Sequence, residues 1–408
     1  MKRLIPIFAA VLAAVPWIVL RLAGFHGDPV TETILTGLAI LGAAFLLAWA
    51  AEVAQLDISA SLAIAVLSFI AVLPEYAVSV YFAWEAAKDP SYASYTVANM
   101  TGANRLLIGL GWSTIIFLFW WKCKKRFLAL DKKDALELGA LTAATAYAMV
   151  IPFKGTLSLL DTVILIGLFV MYLRATARQG VEEPHLIGPS EALSRLPKVP
   201  RRVTTLLMFV YSAIAILMSA EPFAEGLVET GKIIGIDEFL LVQWLAPIAS
   251  EAPEFIIASL FVIQGRAGLG LRAMISSKVN QWTLLIGMLP LAYVISAGSL
   301  TALDLGERQS EEVLLTVAQS AFAVAILSKF RFGVVAAFAL LVLFVAQLLT
   351  PAWHEPFIVA YFVLAAALFL IDRERLRGML TALKSLFTGD AHGAPEAESE
   401  AAPTRANS

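Results

Sequence analysis

The chain has 408 residues, 59% of them hydrophobic and 15% charged, with a mean hydropathy of +0.79. That balance excludes both a purely soluble domain and a disordered chain. A formal net charge of −2 leaves no electrostatic footprint for nucleic acid, and a single cysteine, Cys123, excludes an internal disulfide framework or a cysteine-built metal site.

A membrane-spanning helix needs about 20 mostly apolar residues. Twelve such stretches occur, near residues 4–21, 31–51, 58–85, 93–121, 134–151, 157–174, 203–220, 238–264, 272–298, 312–328, 332–350 and 356–372. The first, with its basic start, also reads as a cleaved signal peptide, which is the competing interpretation. If the amino terminus is cytoplasmic, 23 of the 30 basic residues fall on the inner side, including six across 122–133 and six across 174–202, and five fall on the outer side. Twelve spans with both termini inside, in the cell (inner) membrane, are therefore expected, and Cys123 then faces a reducing cytosol.

The two halves repeat weakly. Asp57 and Asp237 are 180 residues apart, Glu75 and Glu254 are 179 apart, and the LLIG tetrads at 106–109 and 284–287 are 178 apart. Each unit holds five spans, an odd number, so the second copy enters the bilayer from the opposite side. The expected fold is thus an all-α polytopic membrane protein with two inverted five-helix repeats and one extra helix at each end. Its units are an additional helix in 1–30, a first repeat over 31–174, a cytoplasmic linker over 175–202, an inverted second repeat over 203–350, an additional helix over 351–372 and a cytoplasmic, largely disordered tail over 373–408.

Each repeat carries an intramembrane glutamate directly after a proline: Glu75 in VLPEYAVS and Glu254 in SEAPEFIIAS. A charge at the bilayer centre costs roughly 2.5–3.5 kcal/mol on insertion scales, so a symmetric pair points to function rather than to packing. Proline frees a backbone carbonyl, and two carboxylates with several carbonyls suit a hard divalent cation such as calcium. Ser79 lies one turn after Glu75, and Ser250 and Ser259 lie near Glu254, where their hydroxyls could complete a shell or simply bond the helix backbone. Glu251 has Val72 as its counterpart, which leaves it an extra ligand, a proton carrier or a solvated rim residue.

These segments resemble the calcium/cation antiporter superfamily, which includes the sodium/calcium and proton/calcium exchangers. The likeness rests on VLPEYAVS followed by VANMTGANRLLIG, and on SEAPEFIIAS followed by ISSKVNQWTLLIG. It implies a ten-helix exchanger core over about 31–174 and 203–350. Glu75 and Glu254 would bind calcium there, and hydroxyl and amide oxygens would bind calcium or sodium. By position, Asn99, Gly102 and Asn104 resemble the family's GNxxGxN; Ser277 and Gln281 match its second polar pair in one register, and Asn280 does in another. Arg105 and Lys278 place fixed cations beside this site. They either stand where another exchanger binds a second sodium, or pair with Glu251, Glu52 or Glu225, or extend toward the interface.

The expected activity is alternating-access antiport of calcium against sodium or protons. No resident cofactor is expected, and the partners are inorganic cations and the lipid bilayer. A cation/proton exchanger for another ion and a cation channel built on the same carboxylates remain as alternatives. A membrane enzyme is disfavoured, because His354-Glu355 lacks a second histidine at metalloprotease spacing and no G-x-S-x-G elbow occurs. His26, His185, His354 and His392 all fall in expected loops or the tail, so no buried imidazole relay is expected.

Overall fold

The computed structural model describes residues 4–24, 27–58, 72–131, 133–179 and 186–388. Most of the stretch expected at 58–85 before Val72, and the tail beyond 388, lie outside the described residues. Among the described residues, ten helices are long and apolar enough to cross a membrane. They are α1 (Ile5–Leu22), α2 (Pro29–Ala54), α4 (Tyr92–Cys123), α5 (Asp134–Lys154), α6 (Leu159–Arg178), α8 (Lys198–Ile234), α9 (Glu238–Ile263), α10 (Ala267–Ala297), α11 (Glu307–Leu327) and the span Pro351–Ile371, which contains α13 (His354–Ile371). Two shorter apolar helices stand where further spans are expected: α3 (Leu73–Ala86) and α12 (Val334–Leu349). A short linker helix, α7 (Pro189–Ser194), and a final helix, α14 (Arg373–Thr388), complete the chain.

Local chemistry explains several of the ends. The Asp28 carboxylate accepts from the Thr31 amide to cap α2, Ser158 and Asp161 form a capping box on α6, and Asp237 accepts from the Phe239 amide at the start of α9. Helix α1 is packed into the fold, because Gly42 of α2 brings the two backbones so close that a Cβ there would sit 2.4 Å from the Ala10 carbonyl oxygen. Arg373–Thr388, placed by the sequence in an unstructured tail, is instead helical. Its inner face buries Ala382, Ser385 and Leu386, and Gly139 of α5 admits the Ala382 carbonyl where a Cβ would leave 2.0 Å. Alternating basic and apolar residues hid this face from a reading tuned to membrane-length runs.

The two halves match in detail. Helices α4 and α10 are each interrupted by a π turn, at Leu107–Trp112 and Gln281–Leu285, beside the two LLIG tetrads. Two small antiparallel sheets tie the halves together: β1 (Phe127–Ala129) pairs with β4 (Arg331–Gly333), and β2 (Thr156–Leu157) pairs with β3 (Leu303–Asp304). Exchange of the two repeats carries one sheet onto the other. The left-handed residues follow the same rule, with Lys124 matched by Gly298 and Gly155 by Phe330.

Candidate cation-binding site

Three helices converge on Glu75. It stands in the first turn of α3, after Pro74, where the missing proline amide costs no helical hydrogen bond and the helix dipole favours a carboxylate. Asn99 of α4 donates from Nδ2 to Glu75 Oε1 at 2.8 Å and to Ser79 Oγ at 2.7 Å, and Ser79 Oγ lies 3.5 Å from the same carboxylate oxygen. From the other repeat, Ser250 of α9 donates to Glu75 Oε2 at 2.5 Å. Glu75, Ser79 and Asn99 are each no more than 1% exposed, so this cluster is sealed from lipid.

Glu254 lies one turn beyond Ser250 and is an electrostatic neighbour of Glu75. The Ser277 hydroxyl of α10 faces it, as does Glu251 on its own helix, and the Gln281 amide donates to Glu251. The Ser277–Glu254 approach occupies the place that the Asn99–Glu75 contact has in the first repeat. Five buried oxygens here have no hydrogen-bond partner: Asn99 Oδ1, Glu251 Oε2, Glu254 Oε2, Ser277 Oγ and Gln281 Oε1. Four are pure acceptors and the Ser277 hydroxyl can also present a lone pair, a set that a cation can satisfy.

A cavity of about 330 Å³ is lined in part by Glu254. Its lining runs from Glu254, Val72 and Asn280 past Ser276 and Ser277 to Glu52 and Gln55 at the end of α2. That end of α2 lies beside the linker helix α7, where Ser190 donates to Glu52.

Glu75, Ser79, Asn99, Ser250, Glu251, Glu254, Ser277 and Gln281 thus meet in one region. Asn104 does not join them: its Nδ2 donates to the Met100 carbonyl and its Oδ1 accepts from Lys278 at 2.7 Å. Asn280, the alternative choice in the second repeat, accepts from the Tyr76 hydroxyl at 2.7 Å.

The two fixed cations find partners other than the acids considered from sequence. Arg105 pairs with Glu312 of α11 at 2.5 Å and lies over the Trp244 ring, while Lys278 sits 3.9 Å from the Trp282 ring centroid. Glu225 instead accepts from Tyr81. Gln243 donates to Glu312 at 2.9 Å. Glu312 and Gln243 carry no local signal in the sequence, since an EE pair at a helix start reads as a solvated rim. His354 also departs from expectation. It opens α13 rather than occupying a loop, is 9% exposed, and brings Nε2 to 3.7 Å from Glu312 Oε1. His26, His185 and His392 lie outside the described residues.

Proline shapes the α4–α9 crossing. Pro247 inside α9 cannot bond the Gln243 carbonyl, and that oxygen points at Gly102 of α4, where a Cβ would come within 1.8 Å of it. Gly102 lets the asparagine-bearing helix lie against the glutamate-bearing one.

A predominantly helical bundle with paired buried acids, one from each half, defines the class: a polytopic membrane transporter of inorganic cations. A model of the family described as sodium/calcium exchanger protein matches residues 31–177 and 204–353. The crystal structure of the H+/Ca2+ exchanger CAX is 42% identical, with 96% of this chain and 100% of that chain covered and a TM-score of 0.91. The structure of native YfkE (17% identity, 88% and 99% covered, TM-score 0.60) and that of the sodium-calcium exchanger NCX_Mj (18%, 83% and 99%, 0.53) share the fold. No curated protein matches. The chain belongs to the sodium/calcium exchanger family, and the resemblance to the calcium/cation antiporters holds.

Proposed function

We propose that this protein exchanges calcium for protons by alternating access, with Glu75 and Glu254 as the carboxylates that carry either ion. One observation carries the reading: two acids from opposite repeats are electrostatic neighbours, and one of them, Glu254, lines a cavity that extends to the end of α2, among buried oxygens with no hydrogen-bond partner. Two carboxylates balance a divalent charge, and protons balance it equally well on the return, so the pair need not cross bare. Asn99, Ser79, Ser250, Ser277 and Gln281 supply neutral oxygens, with Glu251 as a third acid. Likeness to the H+/Ca2+ exchanger CAX favours protons over sodium as the coupling ion.

In this reading 31–174 and 203–350 are the exchanger repeats, and both termini and the 175–202 linker are cytoplasmic in the cell membrane. The cavity is then the inward-facing pathway. The protein acts as a transporter without a resident cofactor and performs no enzymatic reaction.

Reconstitution in liposomes tests the assignment. Calcium uptake driven by a pH difference without sodium is the expected result. Uptake that requires a sodium gradient would replace protons by sodium, and flux that follows voltage without any counter-ion would make the protein a channel.

A further inference from the structure

Glu52 belongs to neither carboxylate of the transport site, yet it lines the same cavity as Glu254. It stands two residues before the end of α2, at the outer part of that cavity, with Gln55 one turn beyond it. Ile257, one turn past Glu254 on α9, packs against the cluster that contains Trp49 and Val53, so the two acids stand on adjoining helices along one passage.

The partner of Glu52 comes from the linker. Ser190, fully buried in α7, donates its hydroxyl to Glu52 Oε2, and the Ile187 amide lies near the same carboxylate. Gly188, in the left-handed region at φ 62°, turns the chain between Ile187 and α7. The Ser190 oxygen is also 3.0 Å from the Ile187 carbonyl. One hydroxyl proton therefore has two acceptors within reach, and release of Glu52 does not strand it.

We propose that Glu52 is the carboxylate at which a divalent cation first binds on its path from the linker face to Glu254, and that Ser190 competes with the cation for it. The proposal rests on Glu75 and Glu254 being the transport site. A carboxylate at the mouth of a low-dielectric passage concentrates cations and raises their capture rate. A hydroxyl that occupies the same oxygen lowers that capture until the cation displaces it to the Ile187 carbonyl. The linker helix α7 thereby sets how readily the cavity loads.

The test uses the full chain in liposomes, with calcium presented from one face at a time. Cys123, the single cysteine and an exposed one, ends α4 on the linker face, because α5 and α6 cross and return between them. Its reaction with a membrane-impermeant maleimide identifies the orientation. Glu52→Gln keeps the acceptor for Ser190 but removes the charge. It is expected to raise the half-saturating calcium concentration on the linker face roughly tenfold with the maximal rate retained, and to leave the opposite face unchanged. The difference should shrink at high ionic strength. Ser190→Ala is expected to shift half-saturation on the linker face in the opposite direction.

A purely structural tie would move both variants the same way or lower the maximal rate from both faces, and either result overturns the proposal. Unchanged half-saturation in Glu52→Gln overturns it as well. Glu254→Gln separates this inference from the reading beneath it. If that variant is inactive while Glu52→Gln behaves as wild type, only the role of Glu52 fails; if Glu254→Gln transports normally, the transport-site reading fails.

Discussion

Ser250 reaches from the second repeat to Glu75 of the first, with an O···O distance of 2.5 Å. This bond joins the repeats where the proposed ligands meet. Glu75→Gln and Glu254→Gln are each expected to reduce calcium uptake to background, since each halves the charge that balances the ion. Ser250→Ala removes a proposed neutral oxygen ligand, an interaction with a charged group of about 1.5–3 kcal/mol, and should weaken apparent calcium affinity about tenfold or more without abolishing transport. Initial uptake rates against calcium concentration separate these outcomes; normal transport by both glutamine variants would move the site elsewhere.

Gly102→Ala is expected to force α4 away from α9. The obstructing atom is the Gln243 backbone oxygen, which cannot rotate aside. Overpacking of this kind costs about 1–3 kcal/mol, and the crossing it disturbs carries Asn99 and Ser250. A lowered thermal midpoint in detergent together with reduced uptake is the expected result; a variant with wild-type midpoint and rate would show that the helices are held by other contacts.

The Arg105–Glu312 pair is buried on both sides, with 1% and 0% side-chain exposure. Arg105→Met leaves a carboxylate in the interior with Gln243 and a distant His354 as neighbours, and should destabilise the fold by about 3–5 kcal/mol. Arg105→Met combined with Glu312→Met should cost less than the two single changes added together. Thermal unfolding of the four proteins gives the cycle, and strict additivity would mean that the pair does not couple.

Asp57 provides a pH-dependent contact outside the spans. The hydrogen bond from Arg201, with Arg202 beside it, lowers its carboxyl from the ordinary 3.8 to about 2. A carboxyl held below its unfolded value contributes stability above that value and loses the contribution as pH falls toward its folded one. Asp57→Asn should therefore lower the thermal midpoint at pH 7, and the gap from wild type should narrow as pH drops from about 5 toward 2. A gap that stays constant over this range would assign the effect to packing instead.

The parts of the site that were legible in the sequence have a local signature. Glu75 and Glu254 stand out because a charge in an apolar run is costly and the repeat doubles it, and Ser79 follows at helical spacing. Asn99 is marked by the family motif. The Glu312–Arg105 pair joins residues 207 apart, and nothing along the chain links an acid in ERQSEEVLL to an arginine in GANRLL. Asn104 shows the converse limit. Its place in the motif is sound, but Lys278 takes its oxygen, a contact made only when the two halves interlock. Helix α14 went unseen because a short basic amphipathic stretch resembles solvated tail until α5 is present to receive it.

The two small sheets restrict how such a molecule can work. β1 is bound to β4 at one face and β2 to β3 at the other, so each half grips its twin on both sides of the paired acids. Opposite halves fastened at both rims do not gape like a clamshell. In the proposed exchange, the motion that exposes the acids alternately to the two sides slides past this double clasp rather than prising it open.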